Sequence, residues 1–295
     1  MLCADNAHRA PRDAVHRIAV EAGFTLAETV IVIVVLGIIS AAAAVFIRGP
    51  ISAYFDVSRR AQLSDVADTA LRRIVRDLQT ALPNSLRVAG ACTGAASCYL
   101  EYVPVVAGGR YRAEPDRSGV GNPLDFTNNQ DTSFDLIGPG ITLPAATPLW
   151  LVVNNLGIPG ADAYSGDARA SDVRRPYAGA GGRVTTISFN SIEALPIKSA
   201  ARRFQMVSTP VTYACVPAPS GGTLVRHDGY GFAAAQAVPP RGRASLLASG
   251  VTSCSFTYAT LEAVPSAASV SIRLQISRDG ETVSLFQQIH VSTVP

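Results

Sequence analysis

The residues with the clearest chemical potential lie near the start of the chain, in Gly23-Phe24-Thr25-Leu26-Ala27-Glu28. Glu28 opens an uncharged run, residues 29–47, that is otherwise suited to lipid. A lone carboxylate inside a membrane costs about 2.5–3.5 kcal/mol on insertion scales, less near the interface. A cation beside it removes that cost. Cleavage after Gly23 would create one, the α-amine of Phe24, one helical turn from Glu28. Within a chain the two charges would meet. Between stacked chains, the carboxylate of one and the amine of the next would set an axial register.

Cysteine is the second reactive residue type. Cys3 precedes the apolar run, and Cys92, Cys98, Cys215 and Cys254 follow it. None forms a CxxC pair, and no histidine follows at zinc-ligand spacing. An even number beyond the run suits two disulfides in an oxidising compartment, with four buried thiols as the alternative. Three pairings are open, and proximity favours Cys92–Cys98 with Cys215–Cys254.

Other groups are less directive. His8 and His16 precede the run, while His227 and His290 lie far downstream. No HExxH, GxSxG or P-loop pattern is present, so the chain does not read as an enzyme and implies no cofactor. Asp125, Asp131 and Asp135, then Asp162, Asp167 and Asp172, supply hard oxygen ligands at spacings unlike an EF-hand. Both stretches read as polar loops with no metal. Gly229-Tyr230-Gly231-Phe232 reads either as a sugar- or surface-touching loop or as a tight turn with packed rings. A formal net charge of +3 gives no case for nucleic acid, and the basic residues include a single lysine, Lys198.

The elements that position these groups follow from periodicity. At 1.5 Å per residue the uncharged run spans roughly 28 Å, about one hydrocarbon core. A secretory signal is the rival reading, with 40–44 imitating a cleavage site. The length of the run and the acidic Glu28 oppose it. Gly49-Pro50 predicts a kink or break. Residues 51–82 then resume a helical pattern, with Val66, Ala70, Ile74 and Leu78 on one face beside Leu71, Val75 and Leu82. Arg59, Arg60, Arg72, Arg73, Arg76, Asp65, Asp68 and Asp77 form a solvated or subunit-contacting face, and Pro83-Asn84 ends the helix.

From residue 85 the period changes to two. Strands are expected at 98–106, followed by a Gly108-Gly109 turn, and at 149–153, 183–190, 203–207, 211–216 and 224–226. Cys254, Phe256 and Tyr258 alternate. The chain closes on a hairpin, 270–276 and 283–291, turning at Arg278-Asp279-Gly280. Helix then sheet is an α+β layout, with the helix burying its apolar face on an antiparallel sheet.

Gly23-Phe24-Thr25-Leu26-Ala27-Glu28 followed by an apolar helix resembles the type IV prepilin signal. Ala27 stands where that family usually carries Ile or Leu. The body segments 83–88, 98–105 and 109–112, with the ending 280–295, resemble the O-type minor pilins of mannose-sensitive haemagglutinin pilus systems. The resemblance implies a pilin fold with a leader (1–23), a transmembrane and assembly helix (24–48), the soluble half of a helical spine (49–82) and a periplasmic β-rich domain (83–295). It implies cleavage after Gly23 by a prepilin peptidase, N-methylation of Phe24, and docking through Glu28. It also implies inner-membrane residence as a single-pass protein, with other major and minor pilins or pseudopilins as partners. The expected role is a minor pilin that enters or primes a filament. The alternatives are a J-type minor pseudopilin of a type II secretion system and a signal-anchored extracellular binding protein.

Overall fold

The computed structural model describes residues 23–145, 147–167, 169, 171–260 and 267–295. Cys3, His8, His16 and the remainder of the expected leader before Gly23 lie outside them. Among the described residues one helix, α1 (Leu26–Leu78), precedes fifteen strands. These are β1 (Arg87–Gly90), β2 (Cys98–Tyr102), β3 (Val105–Tyr111), β4 (Ser133–Ile137), β5 (Ile141–Leu143), β6 (Trp150–Val152), β7 (Arg174–Pro176) and β8 (Gly182–Val184). There follow β9 (Thr186–Ser188), β10 (Arg203–Val207), β11 (Val211–Val216), β12 (Gly222–Asp228), β13 (Arg243–Thr260), β14 (Ala267–Arg278) and β15 (Glu281–Ser292). The class is α+β. Contacts divide the chain at Phe55/Asp56 into two units.

In the first unit every described residue is exposed. Helix α1 is long and apolar enough here to cross a membrane, judged by length and composition. It continues through Pro50 instead of breaking there. The ring removes one N–H from the ladder, a single loss among many retained bonds. Ser52 also donates its hydroxyl to the Gly49 carbonyl at 2.9 Å.

In the second unit the helix buries Leu63, Ala67, Ala70, Leu71, Ile74 and Leu78. They pack against Leu100, Tyr213, Cys215, Leu224, Val251, Phe256, Ile272, Leu274 and Ile276 of a seven-stranded sheet. Val66, expected on this face, is 37% exposed. A 3.6-residue period drifts from a strict spacing of four, so the buried stripe passes through Leu63 and Ala67 instead. The helix stops at Leu78, before Pro83-Asn84. Leu82 donates its N–H to the Val103 carbonyl at 2.8 Å, and Val105 donates to the Thr80 carbonyl at 2.8 Å. Residues 80–82 thus exchange helical bonds for bonds to the β2–β3 corner.

The seven-stranded sheet runs β1-β2-β11-β12-β13-β14-β15, with every pairing antiparallel. A six-stranded sheet, β7-β6-β10-β3-β4-β9, and a β5-β8 pair complete the body. This sheet has its own core around Phe134, Leu136, Leu151, Ile187, Phe204 and Met206. Strands 203–207 and 211–216 match expectation, and 183–190 divides into β8 and β9. Gly108-Gly109 lies inside β3 and not at a turn. A Cβ on Gly109 would sit 3.1 Å from the Phe204 ring, so the glycine makes room for that ring in the neighbouring strand. The closing hairpin turns at Asp279 and Gly280, with φ of 50° and 82°, as a two-residue primed turn requires.

Candidate functional site

The N-terminal segment is built by a helix cap. Thr25 Oγ1 accepts the Glu28 N–H at 3.2 Å, and the Thr25 carbonyl accepts the Thr29 N–H at 3.1 Å. Thr-x-x-Glu is the sequence of a capping box, and the structure makes the threonine half of it. Glu28 lies in the first helical turn, where an acid also complements the helix dipole. Gly23 has nothing within 4 Å of its notional Cβ, and Phe24 is 82% exposed. Both precede the helix, which leaves the Gly23–Phe24 bond outside it and exposed.

All four downstream cysteines pair. Cys92 joins Cys98, and Cys215 joins Cys254. Cys98 and Cys215 are cross-strand partners in β2 and β11, so the two bridges lie side by side in the sheet.

Two polar hubs organise the body, and neither was anticipated. In the first, Asp77 leaves the expected solvated face of the helix. Its carboxylate accepts the Tyr213 hydroxyl at 2.7 Å and approaches Arg226 Nε at 3.3 Å and Arg73 Nε at 3.3 Å. Arg226 also pairs with Asp228, which meets Arg243 at 2.8 Å. Burial and the nearby Asp77 carboxylate push the Tyr102 and Tyr213 phenols far above their ordinary range. This cluster lines a cavity of about 500 Å³.

In the second hub, Glu101 is buried in the middle of β2. It accepts Arg87 Nε at 2.6 Å and the Tyr230 hydroxyl at 3.0 Å. The Arg87 guanidinium lies 3.6 Å over the Tyr164 ring and donates to the carbonyls of Ala233 and Ala234. Phe232 sits between Trp150, at 5.1 Å between ring centroids, and the Arg174 guanidinium, at 3.6 Å. Desolvation lowers Arg174 to about 10, opposed by Asp167 and Asp172. Gly229-Tyr230-Gly231-Phe232 therefore follows the packed-ring reading: its aromatics anchor a loop to the body. The sequence signal for the hub was the one acid in the apolar stretch Cys98-Tyr-Leu-Glu-Tyr-Val.

The aspartate-rich loops spend their carboxylates on their own backbone. Asp125 accepts from Thr127, Asp131 from the Asp125 N–H at 2.6 Å, and Asp135 from the Asn122 N–H at 2.8 Å and the Thr186 hydroxyl at 2.8 Å. The Asn122 N–H bond is the main reason that Asp135 is held below the usual carboxylate range. Asp135 belongs to β4, which replaces part of the expected loop. Asp162 accepts the Tyr164 N–H, and Asp172 accepts the Arg169 N–H. Among the described residues no group of three or more His, Cys, Asp or Glu is placed to hold a metal.

His227 lies in β12, its ring basicity lowered by partial burial. His290 lies exposed in β15. An open concavity of about 570 Å³ is lined by Arg72, Arg73, Arg76, Leu246 and Leu247, without a histidine, cysteine or carboxylate.

No family model, curated protein or solved structure matches the chain.

Proposed function

We propose that this protein is a type IV pilin-like subunit, a minor pilin of a pilus resembling the mannose-sensitive haemagglutinin type, with a pilin fold. The observation that carries the reading is one junction: Gly23-Phe24, exposed and outside the helix, then Glu28 in the first turn of a helix whose first-unit apolar surface is bare. The exposed helical apolar residues continue past the uncharged run to Ile51, Tyr54, Phe55 and Val57. That much bare surface calls for lipid first and then for a bundle of sister helices.

In this reading the precursor sits in the inner membrane with its leader cytoplasmic and its body periplasmic. A prepilin peptidase cleaves after Gly23 and methylates the Phe24 amine. Glu28 then meets the terminal amine of a neighbouring pilin or pseudopilin as the helix leaves the bilayer. Charge neutralisation removes the carboxylate's cost in the apolar bundle, so it favours one axial register. The two disulfides suit an oxidising compartment for the body.

Mass spectrometry of the N-terminal peptide of protein recovered from cells tests the processing. N-methyl-Phe24 is expected; an intact leader, or a start near Ala44, overturns it. Glu28→Ala is expected to spare cleavage while reducing recovery in sheared filaments. Undiminished recovery refutes the docking role.

A further inference from the structure

Positive charge collects along one flank of α1. Arg72 and Arg76 stand one helical turn apart with Arg73 beside them, and all three are exposed. The carboxylates around them do not balance them. Arg72 meets Asp68 at 2.7 Å, an exposed i,i+4 pair of a kind worth little. Arg73 shares Asp77 with Arg226, and Arg226 shares Asp228 with Arg243. Four guanidinium groups thus divide three carboxylates, and Arg76 enters no salt bridge among the described residues. Among those residues no hydrogen bond occupies a terminal nitrogen of Arg72, Arg73 or Arg76, since Arg73 reaches Asp77 through Nε. Each keeps the donor fork that suits a carboxylate.

These arginines line the concavity of about 570 Å³ together with Leu246 and Leu247 of β13. The leucines lie where β13 runs past the last residue that β14 pairs, Val251. On its other side β12 sets Val225 opposite Leu246 and Leu224 opposite Ala248, which leaves Leu247 as the extra residue of a bulge. In a regular strand consecutive side chains take opposite faces; the bulge lets both leucines line one concavity. Leu246 is 63% exposed. The same bulge breaks the row of backbone groups that a further strand would need, so recognition here falls to side chains. The chemistry selects the occupant. Three arginines within a helical turn call for two or three carboxylates at similar spacing, and the leucines call for an aliphatic side chain between them. A polypeptide carries both. Nucleic acid brings charge without the aliphatic part, and a formal net charge of +3 provides no wide basic surface for it. An anionic lipid brings a single headgroup to three guanidinium forks.

We infer that the concavity between Arg72, Arg73 and Arg76 of α1 and Leu246-Leu247 of β13 docks an acidic segment of a partner protein, its carboxylates on the arginines and an aliphatic side chain on the leucines. The site does not depend on cleavage after Gly23 or on Glu28, so it stands or falls apart from the filament reading.

The test is fluorescence anisotropy of a fluorescein-labelled peptide of Glu-Leu-Ala-Glu blocks, titrated with the full-length chain in neutral detergent. Saturable binding tighter than about 1 mM is expected, weakening as salt rises. Arg72→Glu/Arg76→Glu should cut affinity at least tenfold and take up the Lys-for-Glu counterpart of the peptide instead. Leu246→Ser should cut affinity roughly threefold with the salt dependence unchanged. Arg110→Glu/Arg183→Glu, exposed in β3 and β8, should bind as the parent does. Thermal melts confirm that each variant is folded. The inference is overturned if no saturable binding appears, if the Gln-for-Glu peptide binds as well, if Arg72→Glu/Arg76→Glu binds undiminished, or if Arg110→Glu/Arg183→Glu loses as much. It is equally overturned if a short-chain phosphatidylglycerol or an oligonucleotide binds this site more tightly than the peptide, or if a second copy fills it, seen as a dimer that Arg72→Glu/Arg76→Glu dissolves.

Discussion

Removing the cation from the Glu101 hub is the most discriminating perturbation of the body. Arg87→Met retains most of the side-chain bulk over the Tyr164 ring but withdraws the guanidinium from a carboxylate whose side chain is 3% exposed. Glu101 would retain the Tyr230 hydroxyl at 3.0 Å as its remaining donor. Breaking one side of a buried pair costs about 3–5 kcal/mol, because the other charge is left desolvated. In a unit of this size each kcal/mol lowers Tm by roughly 2–4 °C, so the variant should melt roughly 6–20 °C below the parent. The double variant Arg87→Met/Glu101→Met removes both charges and should recover more than half of that loss. Tyr230→Phe alone should cost about 1.5–3 kcal/mol, the worth of a hydrogen bond to a charged group. Trp150, the single tryptophan, packs on Phe232 beside this hub, so its fluorescence in a urea titration of the full chain in detergent reports the site. The reasoning is refuted if Arg87→Met costs under 1 kcal/mol, or if the double variant is no more stable than Arg87→Met alone.

Further expectations follow from burial and connectivity. Ile74→Ala should cost about 2–5 kcal/mol by urea unfolding, while Val66→Ala stays within about 0.5 kcal/mol; equal losses would contradict the observed helix face. Loop-closure entropy predicts that losing Cys215–Cys254, 39 residues apart, costs about 4 kcal/mol, against about 2 kcal/mol for Cys92–Cys98, 6 apart. Paired alanine variants compared by thermal melts check that order. The phenols of Tyr102, Tyr213 and Tyr230 are raised first by burial and then by nearby groups, among them the carboxylates of Asp77 and Glu101. Their contribution to stability is therefore full below their ordinary value of 10.0 and is lost as pH rises beyond it. Circular dichroism should fall in one alkaline step, together with the part of the tyrosinate absorbance that Tyr102→Phe, Tyr213→Phe and Tyr230→Phe variants assign to these three phenols; ionisation of these phenols with the fold intact would contradict their burial.

Local chemistry determined much of this protein. The apolar run needs no tertiary partner to be a helix, and Thr25-x-x-Glu28 caps it with its own atoms. Alternation in 270–276 and 283–291 with Asp279-Gly280 between them specifies a hairpin, because side-chain period and turn geometry both act within a few residues. Cysteine proximity likewise favoured the bridges that form.

Only the tertiary structure decided the rest. Gly108-Gly109 has the composition of a turn, and only the ring of Phe204, about 95 residues away in sequence, explains why it is a strand. The helix ends at Leu78 because Val103 and Val105 compete for its last backbone groups. Asp77 and Glu101 carry the same charge as any surface acid. What sets them apart is Tyr213, Arg226, Arg87 and Tyr230, brought from distant strands and loops to two carboxylates that the packing leaves little exposed, where losing a partner is costly. Periodicity reports which face a residue occupies. Which groups meet there is settled by the packing of the whole chain.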